Sequence, residues 1–188
     1  MELEFYIRTY FGISKANLEK VVSLFEYSEL KKGEFYTKKD QYCGKLSFVE
    51  SGIVRIYGEK EHKEITQWIS TKGHFITDLS SLIFKTPARF NIQALSDTKL
   101  FTINKENYDK IGQEVSNWHE LEKIFIAKCF ITLENRVFDF LSMSAEERYL
   151  TFFENNKELF HQIPQIYLAS MLGMTAETLS RIRAKKIR

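Results

Sequence analysis

The eighteen residues QIYLASMLGMTAETLSRI, Gln165 to Ile182, restrict the fold more tightly than any other stretch of this 188-residue chain. Counted from Gln165, Leu168 is fourth, Ala169 fifth, Leu172 eighth, Gly173 ninth, Met174 tenth, Leu179 fifteenth and Ile182 eighteenth. Two short helices that cross around a tight turn need this set. The first must be small where the second crosses it, which Ala169 provides. Gly173 supplies the positive φ of the turn. The apolar positions form the core that both helices share. Pro164 suits the first turn of the first helix, and Thr175 is placed to cap the second. The pattern predicts a helix-turn-helix.

An αα-hairpin buried in a core would satisfy the same apolar positions. The outer face of the second helix favours an open element, because it carries Ala176, Glu177, Ser180, Arg181 and Arg183. Residues 175–188 hold five basic side chains (Arg181, Arg183, Lys185, Lys186, Arg188) against one acid, Glu177, a segment charge of +4; the preceding 174 residues of this +2 chain therefore carry −2. Such a block is the footprint of a phosphate-binding end. A solvated helix terminus also favours cations, through the helix dipole. Against a base edge, Glu177 can accept from a cytosine amine, and Arg181 can donate twice to guanine. Thr175, Lys185, Lys186 and Arg188 suit phosphate, which gives affinity and salt dependence but no sequence information.

Upstream, residues 115–143 contain neither Gly nor Pro. They predict a helix of about 27 residues, roughly 40 Å long. Trp118, Leu121, Phe125, Cys129, Thr132 and Arg136 follow one seam at coiled-coil spacing. Ile124, Ile126, Phe130, Ile131, Leu133, Val137, Phe138, Phe140 and Leu141 widen the apolar surface beyond that seam. So much apolar surface predicts a partner, most simply the same helix of a second subunit, with the seam as the dimer interface. The competing reading is a helix buried wholly in its own chain.

Residues 1–25 read as helical. Between about 28 and 104, KLSFVESGIVRIYG, EITQWIS, FNIQAL and KLFTIN read as short strands, with Gly33, Gly44, Gly52, Gly58 and Gly73 as turns. TDLSSLIF is a short helix within them, and Asn104 caps the next. Short strands at regular spacing predict a double-sheet β-roll. Ser144 and Glu147 form a capping box that starts a new helix. No stretch approaches the length of a membrane span, and the N-terminus lacks the apolar core of a secretory signal, so a cytoplasmic protein is expected. Cys43 and Cys129 suit reduced, buried thiols. The four histidines have no metal-ligand spacing. No nucleophile–base pair or phosphate loop points to an enzyme.

The short N-terminal helix, the β-roll with FVESGIVRIY, the long helix and TAETLSRIRAK together resemble the CRP/FNR family of bacterial transcription regulators. The resemblance implies an α+β chain in three parts: a double-stranded β-helix, jelly-roll-like sensor over 1–114, a dimerisation helix over 115–143, and a helix-turn-helix over 144–188. It implies a homodimer on a pseudo-palindromic double-stranded DNA operator, with RNA polymerase as a possible further partner. It also implies a cyclic-nucleotide pocket, and here the chain departs from the family. The phosphate cassette falls on Ile76-Thr77-Asp78-Leu79. Thr77 stands where the family has Gly, and Asp78 where it has Glu. Ala88 stands where the family has Arg; Arg89 is one residue late, which on a strand reverses the face. The candidate pocket, Thr77, Asp78, Leu79 and Arg89, therefore argues against tight cyclic-nucleotide binding, and no cofactor is expected. Ala176 also replaces an arginine of the family's recognition helix. The chain ends six residues after Ile182, so the winged helix is expected to be truncated. The alternative function is a ligand-binding module, with cyclic nucleotide as one candidate ligand, whose helix-turn-helix makes protein contacts.

Overall fold

The structure is a computed structural model that describes residues 2–186, the side chain of Lys186 excepted. Its elements run α1 (Glu2–Phe11), α2 (Lys15–Val22), β1 (Glu26–Leu30), β2 (Phe35–Thr37), β3 (Lys45–Ser51), β4 (Val54–Lys60), β5 (Lys63–Ser70), β6 (Phe75–Ile76), α3 (Leu79–Phe84), β7 (Asn91–Ala94) and β8 (Thr98–Asn104). Six further helices follow: α4 (Lys105–Glu114), α5 (Trp118–Ser142), α6 (Ala145–Asn155), α7 (Leu159–Gln162), α8 (Gln165–Met171) and α9 (Ala176–Lys186). The helical region expected over 1–25 holds two helices, α1 and α2, parted at Gly12, whose φ is +68°.

The strands form two four-stranded sheets, ordered β1-β8-β3-β6 and β2-β7-β4-β5. In the first, β3 and β8 pair antiparallel with Leu46 opposite Ile103, Phe48 opposite Phe101 and Val49 opposite Leu100. Gly52 turns β3 into β4 at φ +100°, and a Cβ there would meet the Asp97 carbonyl at 2.6 Å. Gly58 lies inside β4 rather than at a turn. The β4–β5 reversal falls on Glu61 and His62, with φ of 51° and 61°. Two left-handed residues in succession give the twist that a two-residue hairpin needs, here without glycine.

The chain divides into two compact units, residues 1–56 with 69–130 and residues 57–68 with 131–188. The hairpin end 57–68 groups with the C-terminal helices, and the first half of α5 groups with the β-roll. In the first unit Tyr36, Val49, Val54, Ile76, Ala88, Ile92 and Leu100 fill the inside of the roll. A second cluster joins α1 (Leu3, Ile7, Phe11), α2, β3, α4 and the start of α5. Phe11 stacks on Trp118 at 5.0 Å and on Phe125 at 4.6 Å. Tyr10 and Phe75 also pack on Phe125.

Three residues of the expected dimer seam lie in that cluster. Trp118, Leu121 and Phe125 are buried in their own chain, and Cys129 packs against the same cluster. A side chain enclosed by α1 and the β-roll has no surface left for a second subunit. Thr132 is exposed, and Arg136 turns into the second unit, over Trp68 and Phe140. Apolar residues stay exposed on α5 on both flanks of these: Ile126, Phe130, Leu133, Val137 and Leu141 line one flank, Ile124, Ile131 and Phe138 the other, and Phe140 is also exposed.

In the second unit the capping box starts α6: the Glu147 N–H donates to Ser144 Oγ at 3.3 Å, and the Ser144 N–H donates to the Glu147 carboxylate at 2.8 Å. Tyr149, Phe152, Phe153 and Phe160 form an aromatic cluster under α6 and α7. Leu168, Ala169, Leu172, Leu179 and Ile182 are buried between α8 and α9.

Candidate nucleic-acid interface

Helix α8 ends in a hydrogen-bonded turn that its sequence specifies. The Met174 N–H donates to the Ala169 carbonyl at 3.0 Å, and the Gly173 N–H donates to the Ser170 carbonyl at 3.0 Å. These two bonds make a Schellman motif with glycine at the left-handed position, φ +68°. A Cβ on residue 173 would meet the Phe140 ring at 2.4 Å, so backbone conformation and packing both require glycine. The Thr178 N–H donates to Thr175 Oγ1 at 3.2 Å and caps α9. Leu179 and Ile182 face inward. Glu177, Ser180, Arg181 and Lys185 are exposed, at spacings that share one helix face. The Glu177 carboxyl is held below the usual carboxylate range by its own N–H and by the Thr175 hydroxyl. A carboxylate in the first turn also suits the helix dipole. Ala176 and Arg183 are half-buried and flank this face rather than lie on it. Ala184, not singled out in the sequence, lies on the face and is exposed. The Lys186 side chain and Arg188 lie outside the described residues.

Two of the four pocket candidates in the β-roll, Thr77 and Asp78, have side chains bonded to backbone groups. Asp78 is buried at 4% exposure. One of its carboxylate oxygens accepts from the Ser81 N–H at 3.0 Å, and the other accepts from the Arg89 N–H at 2.8 Å. The first bond caps α3; the second ties α3 to the strand that follows. Thr77 donates its hydroxyl to the Lys45 carbonyl at 2.8 Å. Ala88 is buried, and its backbone pairs with residues 40 and 41. Arg89 is exposed, its guanidinium 5.3 Å from the Phe90 ring centre. Leu79 is exposed on α3. A cyclic phosphate needs an inward cation and free backbone N–H groups, and a ribose hydroxyl needs a free carboxylate oxygen. Here the Arg89 side chain is exposed, and each Asp78 oxygen already accepts one backbone N–H.

The sequence from residue 27 to residue 114 matches the cyclic nucleotide-binding domain family. The match spans a little under half of the chain. Over most of its length the chain shares its fold with solved structures. FixK2 from Bradyrhizobium japonicum superposes with a TM-score of 0.71 at 18% identity, covering 86% of this chain and 83% of that one. CLP from Xanthomonas campestris, a c-di-GMP responsive global regulator, gives 0.70 at 14% identity, with 92% and 91% covered. The catabolite activator protein of Thermus thermophilus gives 0.60 at 20% identity, with 96% and 85% covered. The fold is that of the CRP/FNR regulators. No curated protein matches the chain in sequence.

The sequence reading missed the residues that hold the turn before α9. Arg136 Nη2 donates to the Met171 carbonyl at 2.9 Å, and Arg148 Nε donates to the Leu172 carbonyl at 2.9 Å. The Thr66 N–H of β5 donates to Ser170 Oγ at 2.9 Å. Spacing along the chain carries no signal for contacts so distant in sequence. Among the described residues no helix is long and apolar enough to cross a membrane, and no cluster of His, Cys, Asp and Glu could hold a metal ion.

Proposed function

We propose that this protein is a sequence-specific DNA-binding transcription regulator that acts as a homodimer and reads double-stranded DNA with α9. The observation that carries this reading is the α8–α9 pair: a turn closed on Gly173, a buried seam through Leu179 and Ile182, and an outer face of Glu177, Ser180, Arg181, Ala184 and Lys185. A recognition helix enters the major groove by its N-terminal residues, so Glu177 and Arg181 are the base readers. Ala184 is small and apolar, as contact with a thymine methyl requires. Thr175, already capping α9, meets phosphate together with Lys185.

Two readers must sit at a fixed separation to address a pseudo-palindrome, with half-sites about 34 Å apart or a multiple of it. The exposed stripe Ile126, Phe130, Leu133, Val137 and Leu141 recurs at intervals of three and four residues, the spacing of a coiled-coil seam. Pairing of this stripe with its copy supplies the two-fold axis. It replaces the seam through Trp118 and Phe125, which the protein's own core occupies.

Arg181→Ala should cost about 1–3 kcal/mol on the preferred duplex and relax discrimination at one base pair. Anisotropy titrations on matched and single-mismatch duplexes check this. An equal loss on every duplex, with a shallower salt dependence, would make Arg181 a phosphate contact instead.

The sensor reading is that the cassette is closed on itself by Asp78 and does not take a cyclic nucleotide. Thermal unfolding with millimolar cyclic AMP, cyclic GMP or cyclic di-GMP should then give an unchanged midpoint, because a ligand that does not bind the native state cannot raise stability. A saturable rise in midpoint with any of them would overturn the closed-cassette reading and leave the DNA-binding reading intact.

A further inference from the structure

The last carbonyls of an α-helix have no partner inside the helix. At the end of α8 the Schellman bonds engage the carbonyls of Ala169 and Ser170, and the next three belong to Met171, Leu172 and Gly173. Two guanidiniums reach those three. Arg136 donates to Met171 at 2.9 Å. Arg148 donates through Nε to Leu172 at 2.9 Å and, more weakly, through Nη2 to Gly173 at 3.4 Å. The remaining Nη1 of Arg148 donates at 2.7 Å to the carbonyl of Met143, just past the end of α5. Phe140 lies between the two cations, 5.5 Å from Arg136 and 4.9 Å from Arg148, and its ring occupies the space that a Cβ on Gly173 would need. Trp68 also packs against Arg136, at 4.9 Å.

We infer that Arg136, Phe140 and Arg148 are positioning residues that set the orientation of the DNA-reading helix α9 by gripping the turn before it. This inference rests on the DNA-binding reading above and adds the device that aims the reader. The chemistry selects arginine. A guanidinium is a flat fork that can donate in several directions in its plane while its face lies on a ring. A lysine carries the same charge as a compact ammonium and cannot bridge Met143 to Leu172 while stacking on Phe140. Both cations also face the negative end of the α8 dipole. The grip comes from the end of α5 and from α6, so a small movement of either moves the turn, and α9 with it.

The test compares the full-length protein with Arg148→Lys, which keeps the charge, and with Arg136→Met, which keeps the stem. Amide hydrogen exchange reads the turn directly, and titration with a selected and a scrambled duplex reads DNA recognition. Both variants should speed exchange of the Gly173 and Met174 amides about tenfold or more, with protection in β3 and β8 unchanged, as for a local opening. Both should lose about tenfold on the selected duplex and little on the scrambled one, narrowing the specificity ratio. Unchanged exchange at Gly173 and Met174 would overturn the inference. Equal loss on both duplexes with a shallower salt slope would also overturn it, by making these arginines phosphate contacts. Should the wild-type protein prefer no duplex, the DNA-binding reading fails by itself, and the exchange data still decide whether the grip exists.

Discussion

Val137→Glu combined with Leu141→Glu should leave a folded monomer that binds its preferred duplex about 10²–10⁴-fold more weakly than the wild-type dimer. Both side chains are exposed on α5, Val137 at 58% and Leu141 at 82%, so the substitutions remove little internal packing from the chain. In the dimer they would set four carboxylates in the apolar seam, where unpaired charge is costly to bury. The loss on DNA arises because the second reader is no longer delivered to its half-site at high effective concentration. Sedimentation velocity reads the oligomeric state, and anisotropy reads the affinity. A double variant that stays dimeric and binds normally would rule out this face of α5 as the interface.

Phe125→Ala should destabilise the first unit by about 3–5 kcal/mol. Phe125 is 1% exposed and touches Tyr10, Phe11 and Phe75, three rings from two other elements. None of these can follow the shortened side chain without leaving its own contacts, so a cavity remains. The loss is a large share of the 5–15 kcal/mol typical of a domain. Urea titration at two protein concentrations separates the two roles of α5. A core residue lowers the midpoint equally at both concentrations and leaves the dimer intact. Dissociation with little change in monomer stability would instead restore the seam through Trp118 and Phe125 as the subunit interface.

That contrast marks where sequence reasoning reached and where it stopped. The helix-turn-helix was legible because its determinants are local: Ala169, Gly173, Thr175, Leu179 and Ile182 lie within fourteen residues and each answers one geometric need. The capping box of α6, the Asn104 cap of α4 and the short helix α3 were legible for the same reason. The apolar excess of α5 was legible too, but not its division between faces. Trp118 and Phe125 meet Phe11, more than a hundred residues away, and nothing in the periodicity of α5 says which face a distant helix will cover. The hairpin turn at Glu61–His62 was hidden because it lacks the glycine that usually marks such a turn, while Gly58 drew the reading into the strand.

Thr77, Asp78 and Ala88 stand out in the sequence as departures from the pattern that the resemblance implies. The use made of Asp78 was not legible, because its two partners are backbone N–H groups, invisible in side-chain identities. Arg136 shows the same limit as Trp118. It falls on the seam by spacing, yet its guanidinium goes to a carbonyl and two rings within its own unit.

The central claim is that α9 reads DNA from a two-fold dimer, and selection of the wild-type protein on random duplexes at low salt tests it most directly. The account predicts enrichment of an inverted repeat whose half-sites are centred about 34 Å apart, or a multiple of that distance. Enrichment of no sequence, or of a single unrepeated site, would contradict it.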